Sequence, residues 1–182
     1  MQRRRRKPPQ EPVTTTIHSL SHEGRGIATI DGKTTFIHNA LPGEEVTFKY
    51  TYCSRSHDEG IMLSVGKASE QRVTPPCKHY TMCGGCSMQH MSMSQQLAHK
   101  QATLLEQLLH FGKVTPEQVL PPLSSDELGY RHKARIGVRY VTKKEKVLVG
   151  FRERNGRYIA DLVSCPVLHP SIGERITELA QL

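Results

Sequence analysis

The chain has no tryptophan, and only 5% of its 182 residues are aromatic and 36% hydrophobic. That excludes one large aromatic-filled core and predicts two small units. No stretch approaches the roughly 18 apolar residues of a membrane-spanning helix. No apolar run follows the basic start, so no secretory signal is expected either. Acidic residues are short, 17 against 25 Lys plus Arg, and the net charge of +8 favours a polyanion such as nucleic acid over an acidic or neutral partner. Cysteine is scarce and odd in number, five in all. Without a secretory signal, an odd count argues against a disulfide framework. These absences predict a soluble, cytoplasmic, monomeric chain with no membrane partner.

What cysteine there is lies concentrated. Cys77, Cys83 and Cys86 fall within ten residues, with five residues between the first two and two between the last two. The Cys-x-x-Cys half can present two thiolates to one ion or cluster, with Gly84 and Gly85 relieving the turn. A fourth ligand is then needed. Cys165, followed by Pro166, is the better candidate, because Cys53 ends an alternating run and reads as a small apolar strand residue. Zinc sites of four thiolates pair two Cys-x-x-Cys knuckles, and only one is present. Iron-sulfur clusters accept irregular spacing with a distant, proline-followed cysteine, which fits better, although zinc stays open.

Residues 1–12, with Arg3-Arg4-Arg5-Arg6-Lys7 and Pro8, Pro9 and Pro12, read as a disordered basic tail. Residues 13–70 carry five β-prone runs, Val13–Leu20, Gly26–Ile30, Thr34–His38, Val46–Cys53 and Ile61–Gly66. Asp31-Gly32 marks a tight hairpin and Pro42-Gly43 a turn. That rhythm predicts a five-stranded small barrel of the oligonucleotide-binding type, with an SH3-like barrel as the near alternative. Residues 71–182 predict a mixed α+β second part. A helix opens at Ser92, with Gln95 completing a capping box, and Leu97, Leu104, Leu108 and Phe111 form a stripe expected to pack on the second sheet.

From Tyr130 to Tyr140 the residues alternate, with Arg131, Lys133, Arg135 and Arg139 at odd positions and Ala134, Ile136 and Val138 at even ones. As a strand this predicts one burying face and one cationic rail for a phosphate backbone. Lys146–Arg154 and Arg157–Leu162 predict two further strands turning at Asn155-Gly156. Phe151, flanked by Gly150 and Arg152, reads as a base-stacking platform or as core.

Together these residues resemble the amino-terminal part of the RumA/RlmD-type 23S ribosomal RNA uracil-5-methyltransferases. The resemblance is carried by His22-Glu23-Gly24-Arg25-Gly26-Ile27-Ala28 with Leu41-Pro42-Gly43-Glu44; Arg72-Val73; Cys77 and Cys83-Gly84-Gly85-Cys86; and Gln89-His90. Tyr130-Arg131-His132-Lys133, Gly150-Phe151-Arg152 and Cys165-Pro166-Val167-Leu168 complete it. It implies a TRAM domain over the barrel, a [4Fe-4S] cluster on Cys77, Cys83, Cys86 and Cys165, and an iron-sulfur central domain over residues 71–182. The central domain would share in gripping 23S ribosomal RNA. It also implies a carboxy-terminal Rossmann-like domain that holds S-adenosylmethionine and the catalytic residues. No glycine-rich nucleotide fingerprint is present in these residues. The expectation is therefore an RNA- and cluster-binding fragment without catalytic residues, inactive alone. Radical S-adenosylmethionine enzymes, which can also carry TRAM-like barrels, space their cysteines three and two apart, unlike the first gap here. A free-standing zinc-stabilised RNA-binding module is the other alternative.

Overall fold

The computed structural model describes residues 7–154 and 156–182, so the arginines of the basic tail and Asn155 of the expected hairpin turn lie outside the described residues. The chain forms two compact units, one drawn from residues up to 73 together with 90–103, the other from 74–89 and 104–182.

The first unit is a six-stranded sheet of β1 (Val13–Thr16), β2 (Ser19–Leu20), β3 (Gly26–Ile30), β4 (Lys33–His38), β5 (Glu45–Cys53) and β6 (His57–Lys67), in the order β1-β5-β6-β4-β3-β2. The first and last members of that order are consecutive in the chain. The run Val13–Leu20, expected as one strand, breaks at Ile17-His18 and pairs with β5 before the break and β3 after it, so the sheet curls back on itself. There are thus six strands where the sequence predicts five, because one run serves both edges.

Turn chemistry sets the register. Asp31 and Gly32, both at positive φ, close a two-residue hairpin between Ile30 and Lys33. At Leu41-Pro42-Gly43-Glu44 the Glu44 amide donates to the Leu41 carbonyl at 3.2 Å, and Gly43 holds the φ of +80° that this turn requires. Ile17, Ala28, Ile37, Ala40, Val46 and Phe48 fill the interior. Gly60 on β6 makes room for Phe48, since a Cβ there would come within 2.3 Å of the ring.

The second unit is built on a two-stranded antiparallel hairpin, β7 (Gly137–Val141) and β8 (Lys146–Gly150), joined by a 3-10 turn at Thr142–Lys144. Its core gathers Cys83, Val149, Ala160, Leu162, Cys165, Val167, Leu168 and Ile176. The short helices α2 (Pro170–Gly173) and α3 (Ile176–Leu179) end the chain, and α3 packs on β8.

Three sequence expectations are corrected here. The strand expected over Tyr130–Tyr140 exists only from Gly137, and Val138 and Tyr140, assigned to a burying face, are 67% and 59% exposed. Residues 132–136 have no ladder, because Arg131 leaves to bridge with Leu168 in parallel, its amide donating to Val167 O and its carbonyl accepting from the His169 amide. The strand expected over Arg157–Leu162 is reduced to a single bridge between Arg152 and Ile159. The third concerns the helix. It runs over Met93–His110 (α1), close to the predicted start, yet it has no buried residue; Leu104 and Leu108 are exposed, as is Phe111 just beyond its end. The core over β8 is filled by residues 160–168 and by α3, so the stripe does not pack on the second sheet. No helix among the described residues is long and apolar enough to cross a membrane.

Candidate cluster centre and nucleic-acid interface

The cysteine loop is held by an isolated antiparallel bridge against the segment that leads toward Cys165. Cys83 forms an antiparallel bridge with Glu153, the Gly84 amide donates to Arg152 O at 2.9 Å, and the Arg154 amide donates to Met82 O at 2.9 Å. Upstream, the amides of Met82 and Cys83 both donate to His79 O, so the loop enters the bridge as a tight turn. Arg154 Nη2 then donates to Cys86 O at 2.6 Å and Tyr80 O at 3.1 Å, with its guanidinium 5.1 Å from the Tyr80 ring centroid. On the other side, the Val163 amide donates to His79 Nε2 at 3.2 Å, and the Cys165 amide to Gly173 O at 2.8 Å. These bonds bring Cys165 to a loop almost eighty residues earlier.

Cys77, Cys83, Cys86 and Cys165 are free thiols. Cys77, Cys83, Cys86 and Cys165 are near enough to act on one another electrostatically. Burial pushes the thiols of Cys77, Cys83 and Cys86 up, and the neighbouring sulfurs, Cys165 in each case, push the same way. Some donors work against this. The Gly85 amide reaches Cys83 Sγ at 3.4 Å, and the Gln89 side chain favours the charged form of Cys86. Gln89 Oε1 accepts from the Cys77 amide at 3.2 Å, while its Nε2 is buried with no hydrogen-bond partner among the described residues. Gly85 lies against Phe151, whose ring a Cβ would meet at 3.2 Å. Cys53 is the last residue of β5 in the first unit, the strand end that its alternating run predicts.

Four thiols with the Gln89 amide beside Cys86 fit a thiophilic inorganic group, of which a [4Fe-4S] cluster is one. Among the described residues, no three His, Cys, Asp or Glu side chains converge as they do around a single metal ion. Cys77, Cys83, Cys86 and Cys165 would be the residues to hold such a cluster, as one thiolate each.

The cationic residues are distributed differently from the predicted rail. Arg131 is half-buried, with its guanidinium 6.0 Å from the Phe151 ring centroid. Phe151 is itself half-buried against the core that holds Cys83 and Cys165. Lys133 and Arg135 are exposed outside any strand, Arg139 is exposed on β7, and Arg152 is exposed beside the cysteine loop. Sequence reasoning missed Arg154, which nothing local marks.

In the first unit, Glu44 is fully buried and forked by Arg72, with Nε to Oε1 at 2.6 Å and Nη2 to Oε2 at 2.7 Å. Amides of Leu41 and Ser69 complete its shell at 2.8 and 3.1 Å. Burial alone would raise this carboxyl; the Arg72 hydrogen bonds and charge and the two amides outweigh it, and the net direction is down. This fork ties Arg72 to the Leu41–Glu44 turn, joining two of the motifs on which the resemblance rests.

Within the six-stranded unit, residues 11–55 match the TRAM domain model. Over all 182 residues the chain is 57% identical to a protein of Alcanivorax borkumensis named 23S rRNA (uracil(1939)-C(5))-methyltransferase RlmD, covering 41% of its length. It is 57% identical over 166 residues to the protein of that name in Francisella tularensis subsp. novicida, covering 90% of this chain and 37% of that one. Against that of Hahella chejuensis the identity is 52% over 182 residues, all of this chain and 41% of the relative. By sequence the chain matches part of these RlmD proteins, and it spans about two fifths of the length of the curated relatives it matches. The fold is also similar to that of the Pyrococcus abyssi tRNA (uracil-54, C5)-methyltransferase solved with S-adenosyl-L-homocysteine. The TM-score is 0.62 at 24% identity, over 92% of this chain and 36% of that one.

Proposed function

We propose that these residues form the RNA-binding and [4Fe-4S]-binding part of an S-adenosylmethionine-dependent 23S ribosomal RNA uracil-C5 methyltransferase. Methyl transfer itself is assigned to the further length that the relatives have. What supports the proposal is that Cys77, Cys83, Cys86 and Cys165 lie in one compact unit, within electrostatic reach of one another and partly or fully buried, in a chain 57% identical to RlmD proteins.

A bound cluster would act as a covalent staple between the loop 77–86 and the turn at Cys165. The chain's own residues do the rest. Arg154 and the Cys83–Glu153 bridge hold the loop on the hairpin, Gln89 offers a buried N–H to a sulfur, and Phe151 covers the Gly85 side. The TRAM unit and the exposed Lys133, Arg135, Arg139 and Arg152 supply contacts to RNA phosphates, with Arg131 and Phe151 beside the cluster loop.

The test is a salt titration of binding between the 182-residue chain and a 23S ribosomal RNA fragment, with S-adenosylmethionine methyl transfer assayed on the same samples. Binding that weakens steeply with salt, without methylation, is expected. Salt-independent binding, or uridine methylation by these residues alone, contradicts the reading.

A further inference from the structure

The β7–β8 hairpin carries a groove that neither the cysteine centre nor the predicted cationic rail accounts for. Its volume is about 470 Å³, and its lining includes Arg139, Tyr140, Lys143, Lys144, Glu153 and Tyr158. That is within the range of about 300–1,000 Å³ found for clefts that take small ligands. Tyr140 and Tyr158 are 59% and 55% exposed, so two large aromatic faces are left to solvent where burial would have stabilised the fold. The Arg157 guanidinium lies 5.8 Å from the Tyr158 ring centroid, which adds a cationic plane beside the aromatic one.

The charge arrangement says what such a groove would hold. Arg139, Lys143 and Lys144 line it, against Glu153 as the one carboxylate among its lining residues. Lys143 and Lys144 belong to the 3-10 turn between the strands, and Glu145 after it, at φ 50°, closes that turn through a bond to Thr142 O. The net charge is positive, yet Val141, Leu148 and Ile159 give the groove an apolar wall that a bare phosphate would not use. A planar base with a phosphate at its edge satisfies both: stacking on tyrosine, ionic contact with the lysines and Arg139, and a carboxylate to accept from an N–H on the base edge. Duplex RNA does not offer that geometry, because its bases are already stacked on one another.

We infer that the groove between Tyr140 and Tyr158 is a binding site for one unpaired nucleotide of single-stranded RNA. The inference rests on the RNA-binding reading above and adds a base-stacking site to it.

The experiment uses the full chain and a fluorescent single-stranded RNA oligonucleotide, with an abasic version as a second probe. Tyr140→Ala and Tyr158→Ala are compared with the wild type and with Tyr140→Phe and Tyr158→Phe, after circular dichroism melts establish that each variant is folded. Each alanine variant should bind the normal oligonucleotide about tenfold more weakly. The phenylalanine variants should retain binding, and the abasic probe should narrow the difference. Irradiation with a 5-iodouridine oligonucleotide should leave an adduct on a peptide containing Tyr140 or Tyr158. Unchanged affinity in both alanine variants with no adduct there, while Arg131→Ala and Arg135→Ala still weaken binding, overturns the groove and leaves the RNA-binding reading standing. Failure of the wild-type chain to bind RNA at all overturns both.

Discussion

Arg154 Nη2 donates to Cys86 O at 2.6 Å, tying the turn after Phe151 to the last cysteine of the loop. The bond is charge-assisted and half-buried, and it fixes a carbonyl that would otherwise close the loop on nothing rigid. Arg154→Ala should therefore cost about 1.5–3 kcal/mol of stability in the second unit. It should also lower the iron retained on purification. Urea unfolding followed with iron analysis checks this, and unchanged values for both would mean that the loop is held without Arg154.

Cys165→Ser removes the one cysteine of the set that lies outside the 77–86 loop. The expected outcome is loss of bound iron and a lower melting transition for the second unit. The first unit, whose core contains none of these cysteines, should keep its own transition. Hydrogen exchange read separately over residues 13–67 and 137–179 distinguishes the two. A variant with full iron content would exclude Cys165 as a ligand.

The Glu44–Arg72 fork predicts a pH dependence in the first unit. The Glu44 carboxyl is held below its usual value in the folded chain, so its contribution is present above the unfolded pKa and is lost as pH falls through the lower, folded one. Stability of the first unit should therefore decline as pH falls below about 4.3. Arg72→Ala leaves a buried carboxylate without its partner and should cost about 3–5 kcal/mol. Thermal melts of this variant from pH 7 to pH 3 check both the loss and its expected shrinkage at low pH.

For RNA, Arg131→Ala and Arg135→Ala should each weaken binding and reduce the slope of log affinity against log salt by roughly one. The two differ in setting, since Arg131 lies beside Phe151 and Arg135 is exposed outside any strand. Arg131 should therefore lose more. Slopes equal to that of the wild type would return both residues to the solvated surface.

Much of the first unit was legible in the sequence because its signals are local. Asp31-Gly32 dictates a two-residue hairpin, and Pro42-Gly43 a turn with positive φ, wherever they stand. The break at Ile17-His18 was not legible, because it depends on β5 and β3 competing for the two ends of one run. In the second unit, alternation from Tyr130 suggested a strand that Arg131 abandons to pair with Leu168, a partner that no local pattern names. The α1 stripe misled for a related reason: periodicity records which side of a helix is apolar, not whether a surface is there to cover it. Spacing and residue type single out Cys77, Cys83, Cys86 and Cys165, and the fold places all four in the second unit. The bridge from Cys83 to Glu153 and the Arg154 clamp, which position the set, arise only on folding.

The most direct test is the iron, zinc and acid-labile sulfide content of the 182-residue chain purified without oxygen, read with its visible spectrum. About four irons and four sulfides per chain, with broad visible absorption, is the predicted result. One zinc with no sulfide would contradict it and leave a zinc-stabilised RNA-binding module in its place.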